Sequence, residues 1–298
     1  MIAAQYITLS ELQRRVRQVL EERFALPLWV SAEIAEVKVN YSGHCYLELV
    51  EKGEGDGVPK AQARAVIWRS QYARIAAYFE AETGQRLAAG MRILAKATVN
   101  YHELYGFSLQ LLDVDPAYTL GDMERQRQQT IARLQAEGVW EMNRQQAMPA
   151  VVQCIAVVSS SRAAGYQDFC NELAKSPYRF CLTLFDAVVQ GAAAEDSIVD
   201  ALSRIAAAGE AFDAVVMIRG GGSSSDLNCF NAYRLCNHVA QFPLPVVTGI
   251  GHDKDTSVAD LVAHTALKTP TAVAAWLVER MAQADGYLAW AGLQLGNA

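Results

Sequence analysis

The stretch VVMIRGGGSSSDLNCFN, residues 215–231, begins as a buried strand and then breaks into an arginine, three glycines and three serines. Consecutive glycines let backbone N–H groups approach an anion closely, serine hydroxyls add donors, and a following helix N-terminus adds partial positive charge. A tight strand-to-helix turn without a ligand is the alternative. We predict a phosphate-binding loop beside Arg219, formed by Gly220, Gly221, Gly222 and Ser223.

Around this stretch, residues 150–270 alternate apolar strands with helices. The strand segments are QCIAVVSS, RFCLTLFDAVV, DAVVMIRGGG and PLPVVTGIGH. Near-continuous apolar strands joined by helices predict a parallel sheet covered on both faces, that is, a doubly wound α/β domain. In such sheets ligands bind beyond the carboxyl ends of the strands, where the strand order reverses.

Candidate catalytic side chains follow the predicted strands. His252 comes directly after the fourth strand, and imidazole is suited to proton transfer near neutral pH, with Asp255 placed to orient it. Asp168 lies in the helix after the first strand, where it acts near a phosphate or only stabilises the helix N-terminus. A Ser-His-Asp hydrolase is disfavoured because the GxSxG nucleophile elbow is absent. For Asp260 and His264, spaced like a metal pair, a capping or solvated role is favoured.

Residues 1–118 show five short alternating runs, with one helical stretch between the third and fourth. This pattern predicts an OB-fold barrel, preceded by a helix with Ser10 as its N-cap. OB-folds stack unpaired bases on aromatic side chains while cations follow the backbone, although each such residue taken singly fits the core equally well. The predicted DNA-binding residues are His44, Tyr46, Trp68, Arg69, Tyr101 and Tyr105.

Composition limits the remaining possibilities. The 298 residues carry a net charge of −6, so a nucleic-acid ligand requires a local cationic groove. No stretch suits a membrane span or a signal peptide, and the cysteines lack zinc-ligand spacing, so we expect a cytoplasmic protein without a metal site. Residues 119–149 predict a helical linker. Residues 271–298 begin an uncapped helical pattern, and we expect them to start a longer C-terminal helix of a truncated chain.

Four segments together resemble the large-subunit family of bacterial exodeoxyribonuclease VII: YSGHCYLEL in the predicted barrel, then VVSSSRAAGYQDF, IRGGGSSSDLNCFN and GIGHDKDTSVADLVAHTALKTPTAVA. The resemblance implies hydrolysis of single-stranded DNA from either end to oligonucleotides, with the barrel as the DNA-binding module. It places the family's catalytic positions on Asp168, Arg219, His252 and Asp255. It also implies that the C-terminal helical region binds a small subunit, and that no cofactor is required, with Mg²⁺ stimulatory or dispensable. The alternative is a single-stranded nucleic-acid-binding module that does not hydrolyse its ligand.

Overall fold

The computed structural model describes residues 6–53, 58–191, 193–208, 211–220, 224–251 and 256–296. The chain forms two compact units, Met1–Met123 and Glu124–Ala298. The division falls within one helix, α3 (Pro116–Ala136). It assigns residues 119–123 of the predicted linker to the first unit and the remainder to the second.

The first unit is a closed five-stranded barrel in the order β1-β2-β3-β5-β4. The pairing of β3 with β5 is parallel and the other pairings are antiparallel. With its single helix α2 between β3 and β4, this is the OB-fold, as predicted. The elements are α1 (Leu9–Arg23), β1 (Leu28–Val39), β2 (Cys45–Lys52), β3 (Pro59–Ile67), α2 (Arg69–Thr83), β4 (Arg92–His102) and β5 (Gly106–Asp115).

The barrel core follows from the period-two pattern of its strands. In β2, Cys45, Leu47 and Leu49 are buried, whereas Tyr46 between them is exposed. Helix α2 contributes Ile75 and Phe79 to the same core. One face of each strand therefore fills the barrel, and the other is available to solvent or ligands.

The prediction of Ser10 as the N-cap of α1 was wrong by two residues. Thr8 has extended backbone angles and its side chain accepts the N–H of Glu11 at 3.2 Å. Ser10 is already helical, and its hydroxyl contacts that of Thr8. The segment TLSE has the spacing of an S/T-x-x-E start, which identifies Thr8 rather than Ser10 as the cap.

The second unit contains a five-stranded sheet in the order β10-β9-β8-β6-β7. All of its pairings are parallel. After α3, its elements are β6 (Cys154–Ser159), α4 (Ala164–Ala174), β7 (Cys181–Asp186), α5 (Ala194–Ala207), β8 (Ala214–Ile218), a 3₁₀ helix (Ser224–Asn231), α6 (Tyr233–Ala240), β9 (Val246–Gly249), α7 (Val258–Val262), β10 (Thr265–Ala266) and α8 (Pro270–Gly296).

Helices cover both faces of this sheet. Ile155 and Val157 of β6 pack in a cluster with residues of α4 and α8. Ala156 and Val158 of the same strand pack on the opposite face, with residues of α5, α6 and α7. The doubly wound arrangement predicted from the sequence is confirmed.

The sheet has one strand more than predicted. Thr265 and Ala266 pair in parallel with Val247 and Thr248 at its edge. A strand of two residues carries no periodicity, so the pattern of apolar residues could not reveal it. Among the described residues, no helix is long and apolar enough to cross a membrane.

Candidate active site and nucleic-acid interface

The carboxyl ends of β6 and β8 mark the point at which the strand order of the sheet reverses. β6 pairs with β7 on one side and with β8 on the other. In open parallel sheets, ligands bind in the crevice outside such a pair of strand ends. The segments that leave these ends are residues 160–163 and the segment that begins at Arg219.

Two glycines bring these segments into backbone contact. A Cβ atom added to Gly165, in the first turn of α4, would lie 2.5 Å from the Cα of Gly220. A Cβ atom added to Gly220 would lie 3.0 Å from the nitrogen of Gly165. Atoms at 2.5 Å overlap, so Gly165 permits an approach that no other residue type allows. The start of α4 and the end of β8 therefore form one surface.

Arg219 lies at this surface but is not an open surface cation. It is 5% exposed, and its backbone N–H donates to the carbonyl of Gly249 at 3.4 Å, beside the end of β9. Of the predicted phosphate-binding residues, Gly220 is described, whereas Gly221, Gly222 and Ser223 lie outside the described residues. The same holds for His252 and Asp255. The catalytic roles of these residues stay predictions.

Asp168 is positioned by the packing of α4. Its neighbour Phe169 is fully buried against the sheet, and Asp168 itself is exposed. Across the ranges that the structure covers, Asp168 makes no hydrogen bond or ion pair. Its carboxylate is thus not committed to a structural partner in these ranges.

The loop after β6 is anchored by a carboxylate that sequence reasoning missed. Asp186, the last residue of β7, accepts the backbone N–H of Ser161 at 2.6 Å. This hydrogen bond holds the pKa of Asp186 below its ordinary value, with Arg162 and Arg204 nearby adding to the effect. The turn itself closes through the N–H of Ala163, which donates to the carbonyl of Ser160 at 3.0 Å.

A buried network ties β9 to α7. Asp260 is 5% exposed and accepts the hydroxyl of Thr248 at 2.6 Å. It also accepts the N–H of Ser257 at 3.0 Å and its hydroxyl at 2.8 Å, which completes a capping box at the start of α7. The favoured capping role of Asp260 is confirmed. The S-x-x-D spacing in SVAD is the signal that identifies Ser257 as the cap.

A hydrogen bond also joins the segment after β8 to the start of α7. Asn231, at the end of the RGGG segment, accepts the N–H of Val258 at 2.9 Å through its side-chain oxygen. Val258 is the first residue of α7, three positions after the end of the segment GHDKD. Sequence reasoning missed Asn231 because its partner is 27 positions away along the chain.

The hydrogen bonds of His264 indicate a structural role. Its Nδ1 lies 2.8 Å from the hydroxyl of Thr265, and its backbone N–H donates to Asn143 at 3.0 Å. Burial lowers its pKa, and the charge of Arg280 acts in the same direction. Within the described part of the chain, no three His, Cys, Asp or Glu side chains group as metal ligands.

In the barrel, four of the six predicted DNA-binding residues lie on β2, beside the β1–β2 turn, and where β3 passes into α2. The rings of His44 and Trp68 meet edge to face at a centroid distance of 4.9 Å. His44 also accepts the backbone N–H of Arg69 at 3.1 Å through Nδ1. Tyr46 projects from the outer face of β2. Strands 2 and 3 and the loop between strands 1 and 2 form the usual ligand face of an OB-fold.

The other two predicted residues lie at the β4–β5 hairpin, a second place where OB-folds bind ligands. Tyr105 is exposed, with its ring 4.8 Å from that of His102. Tyr101 donates its hydroxyl to Gln13 of α1 and is less available. Trp29 of β1 is another exposed aromatic residue of the barrel, at 52%.

Comparison with known proteins accords with this architecture. A family model described as "Exonuclease VII, large subunit" matches residues 139–297, and one described as "OB-fold nucleic acid binding domain" matches residues 7–115. The exodeoxyribonuclease 7 large subunit of Deinococcus radiodurans is 38% identical over 291 residues, covering 94% of this chain and 69% of that protein. The protein of the same name from Xanthomonas euvesicatoria pv. vesicatoria is 33% identical over 274 residues, covering 92% of this chain and 58% of that protein.

The fold and these matches define the class of protein, which has a nucleic-acid-binding OB-fold domain followed by a doubly wound α/β domain. Within that class, the chain belongs to the exonuclease VII large-subunit family. It spans 69% and 58% of the lengths of the two relatives.

Proposed function

We propose that this chain is an exodeoxyribonuclease that hydrolyses the phosphodiester bonds of single-stranded DNA from either end to oligonucleotides, in cytoplasmic DNA repair or degradation. The observation that carries the proposal is the position of Arg219 and Gly220 at the reversal of strand order, in a chain of the exonuclease VII large-subunit family. The barrel supplies the DNA-binding surface through its exposed aromatic residues.

Hydrolysis of a phosphodiester requires an activated water, charge stabilisation on the phosphoryl oxygens and a proton for the leaving oxygen. In the proposed mechanism, Arg219 and the backbone N–H groups of residues 220–222 stabilise charge. His252 transfers the proton, and Asp255 orients the imidazole of His252. Asp168 activates water, which is consistent with its exposed carboxylate.

The competing function is a binding module that holds single-stranded nucleic acid without cutting it. Arg219→Ala and His252→Ala separate the two, with hydrolysis of end-labelled single-stranded DNA and binding measured on the same protein. We expect both variants to lose hydrolysis while DNA affinity, supported by the barrel, stays close to that of the parent protein. A parent protein that binds DNA but never cuts it, even with the small subunit present, supports the binding module instead.

The proposed site works without a required metal, since arginine and histidine supply the charge and proton functions, and Mg²⁺ is stimulatory at most. Hydrolysis assayed with EDTA and with added Mg²⁺ tests this point. Activity that persists in EDTA is the expected result. Complete loss under chelation that Mg²⁺ restores contradicts it.

The proposed partners are single-stranded DNA and the small subunit of exodeoxyribonuclease VII. Helix α8 supports the second partner, because Tyr287, Leu288, Trp290 and Leu293 are all exposed on it. Exposed apolar side chains at helical spacing suit another helix. We expect Trp290→Asp to weaken co-purification of the small subunit, with Tyr78→Asp on α2 as the control. Equal recovery with both variants contradicts this part.

A further inference from the structure

The first turn of α4 has backbone N–H groups that find no acceptor in the part of the chain that the structure describes. Its N-cap residue, Ala163, has no side chain that can accept them. The N–H groups of Tyr166 and Gln167 both bond the carbonyl of Ala163. Those of Ala164 and Gly165 have no acceptor among the described residues. Such groups at a helix N-terminus favour an anion.

These N–H groups meet the backbone of the neighbouring segment. The position of a Cβ atom on Gly220 lies 3.0 Å from the nitrogen of Gly165 and 3.6 Å from that of Ala164. In turn, the nitrogen of Gly220 lies 2.9 Å from the position of a Cβ atom on Gly165. The nitrogen of Gly220 also has no acceptor within the described ranges. The backbone nitrogens of Ala164, Gly165 and Gly220 therefore lie close together where the two segments meet.

A buried hydroxyl provides an independent observation at the same place. Ser159, the last residue of β6, is fully buried, and its Oγ has no hydrogen-bond partner among the residues described. The alternation of β6 directs Ser159, like Ile155 and Val157, to the face that α4 covers. A turn of four residues connects Ser159 to α4, so Ser159 lies at the strand end next to the start of that helix, on the sheet face that α4 covers. A buried polar group without a partner is costly unless a ligand satisfies it.

We propose that the N–H groups of Ala164, Gly165 and Gly220, together with the hydroxyl of Ser159, form a subsite for a tetrahedral phosphate group. The subsite adds the β6–α4 side of the crevice to the predicted loop after β8. For its natural ligand, a terminal phosphate or an internal phosphodiester of the DNA strand, the inference rests on the proposed function. The affinity of the subsite for phosphate does not depend on that function.

The test measures thermal stabilisation of the full chain by inorganic phosphate, with potassium chloride at equal ionic strength as the salt control. We expect phosphate to raise the Tm of the parent protein beyond the chloride effect. Ser159→Ala removes a buried hydroxyl that has no partner among the described residues, so the ligand-free variant should melt at the same temperature or higher. It should nevertheless bind phosphate about tenfold or more weakly. Ser203→Ala, which removes a hydroxyl bonded within α5, is the matched control.

A second variant tests the helix end. Ala163→Asp places a carboxylate at the N-cap of α4, where it accepts the first-turn N–H groups and repels an anion. We expect a higher Tm without phosphate and no stabilisation by phosphate. Phosphate affinity unchanged in both Ser159→Ala and Ala163→Asp, or a phosphate effect equal to that of chloride, overturns the subsite.

The two sources of phosphate are distinguished by oligonucleotides with a 5′-phosphate and with a 5′-hydroxyl. A preference for the phosphorylated strand that Ser159→Ala abolishes assigns the subsite to a terminal phosphate. Equal weakening of both strands assigns it to an internal phosphodiester. If the parent protein cuts no DNA but binds phosphate through Ser159, the subsite stands and the proposed function falls. If hydrolysis persists while phosphate binding is independent of Ser159, the subsite falls alone.

Discussion

The side-chain oxygen of Asn231 accepts the backbone N–H of Val258 at 2.9 Å, and this bond joins the segment after β8 to the start of α7. The segment GHDKD, which carries His252 and Asp255, ends three positions before Val258. A residue outside the predicted catalytic set therefore sets the start of the helix that follows the second motif.

Asn231→Ala leaves the N–H of Val258 without its acceptor. We expect the free energy of unfolding to fall by about 1 kcal/mol, the usual effect of losing one hydrogen bond. Hydrolysis should fall more than DNA affinity, because the barrel is untouched. Urea denaturation and a single-strand hydrolysis assay check both. Asn237→Ala, which removes a surface bond to Gln241, is the control, and equal effects of the two variants would contradict the role of Asn231.

The Asp260 network predicts an order of effects. Thr248→Val removes one hydrogen bond to a buried carboxylate and keeps the volume, so we expect a loss of about 2 kcal/mol. Asp260→Ala deprives Thr248 and Ser257 of their common acceptor, and the loss should be larger, about 3 kcal/mol or more. Denaturant unfolding measures both. A smaller loss for Asp260→Ala than for Thr248→Val is incompatible with this network.

The contact between Gly165 and Gly220 can be tested with one methyl group. In Gly165→Ala the new Cβ meets backbone atoms 2.5 Å and 2.9 Å away, and backbone cannot yield as a flexible side chain does. We expect a loss of about 1–3 kcal/mol in the free energy of unfolding, together with reduced hydrolysis. Gly286→Ala in α8 meets nothing within 4 Å and should instead stabilise by about 0.5–1 kcal/mol. Gly165→Ala as stable as Gly286→Ala would show that the approach is not tight.

Much of the fold is predictable because its strands and helices produce periodic patterns of apolar residues over short stretches of sequence. The alternating runs of the barrel and the apolar strands of the sheet identify themselves within windows of a few residues. The two-residue strand β10 is too short to show such a pattern. The exposure of Trp29 cannot be read from the sequence either, because it depends on which face of β1 the barrel leaves open. The capping box from Ser257 to Asp260 is local and could be found in the sequence.

The candidate site is less predictable because its contacts join distant segments. Gly165 and Gly220 carry no signal of their proximity, and the bond from Asp186 to Ser161 spans two strands. The burial of Arg219 likewise results from packing around the strand end rather than from residue type. Residue composition could suggest anion chemistry at the loop after β8. It could not show that α4 completes the same surface.

The barrel interface makes a prediction of its own. Trp68 is exposed at the end of β3 with its ring against His44, and a stacked base there contributes about 1–3 kcal/mol. We expect Trp68→Ala to weaken single-stranded DNA binding by this amount. The salt dependence of binding should stay unchanged, because the substitution removes no charge. Tyr78→Ala, an exposed aromatic on α2, should bind like the parent protein. Fluorescence anisotropy gives both affinities, and equal affinities for the two variants would remove Trp68 from the interface.

His264 predicts a pH dependence of stability. Burial lowers its pKa in the folded protein, so below about pH 6.5 the unfolded chain binds a proton that the folded chain resists. The associated stability is present above that value and is lost as the pH falls through it towards the folded pKa. Between about pH 7.5 and about pH 6, the parent protein should therefore lose more stability than His264→Gln. Equal losses in urea titrations would contradict the lowered pKa.

The central claim, that this chain degrades single-stranded DNA from its ends at the crevice between β6 and β8, is tested most directly with linear and circular single strands of one sequence. The assay includes the small subunit and compares the parent protein with Arg219→Ala. We predict that the parent protein degrades the linear strand and spares the circle, and that Arg219→Ala binds both and degrades neither. Degradation of the circle, or degradation of the linear strand by Arg219→Ala at the parent rate, would contradict the claim.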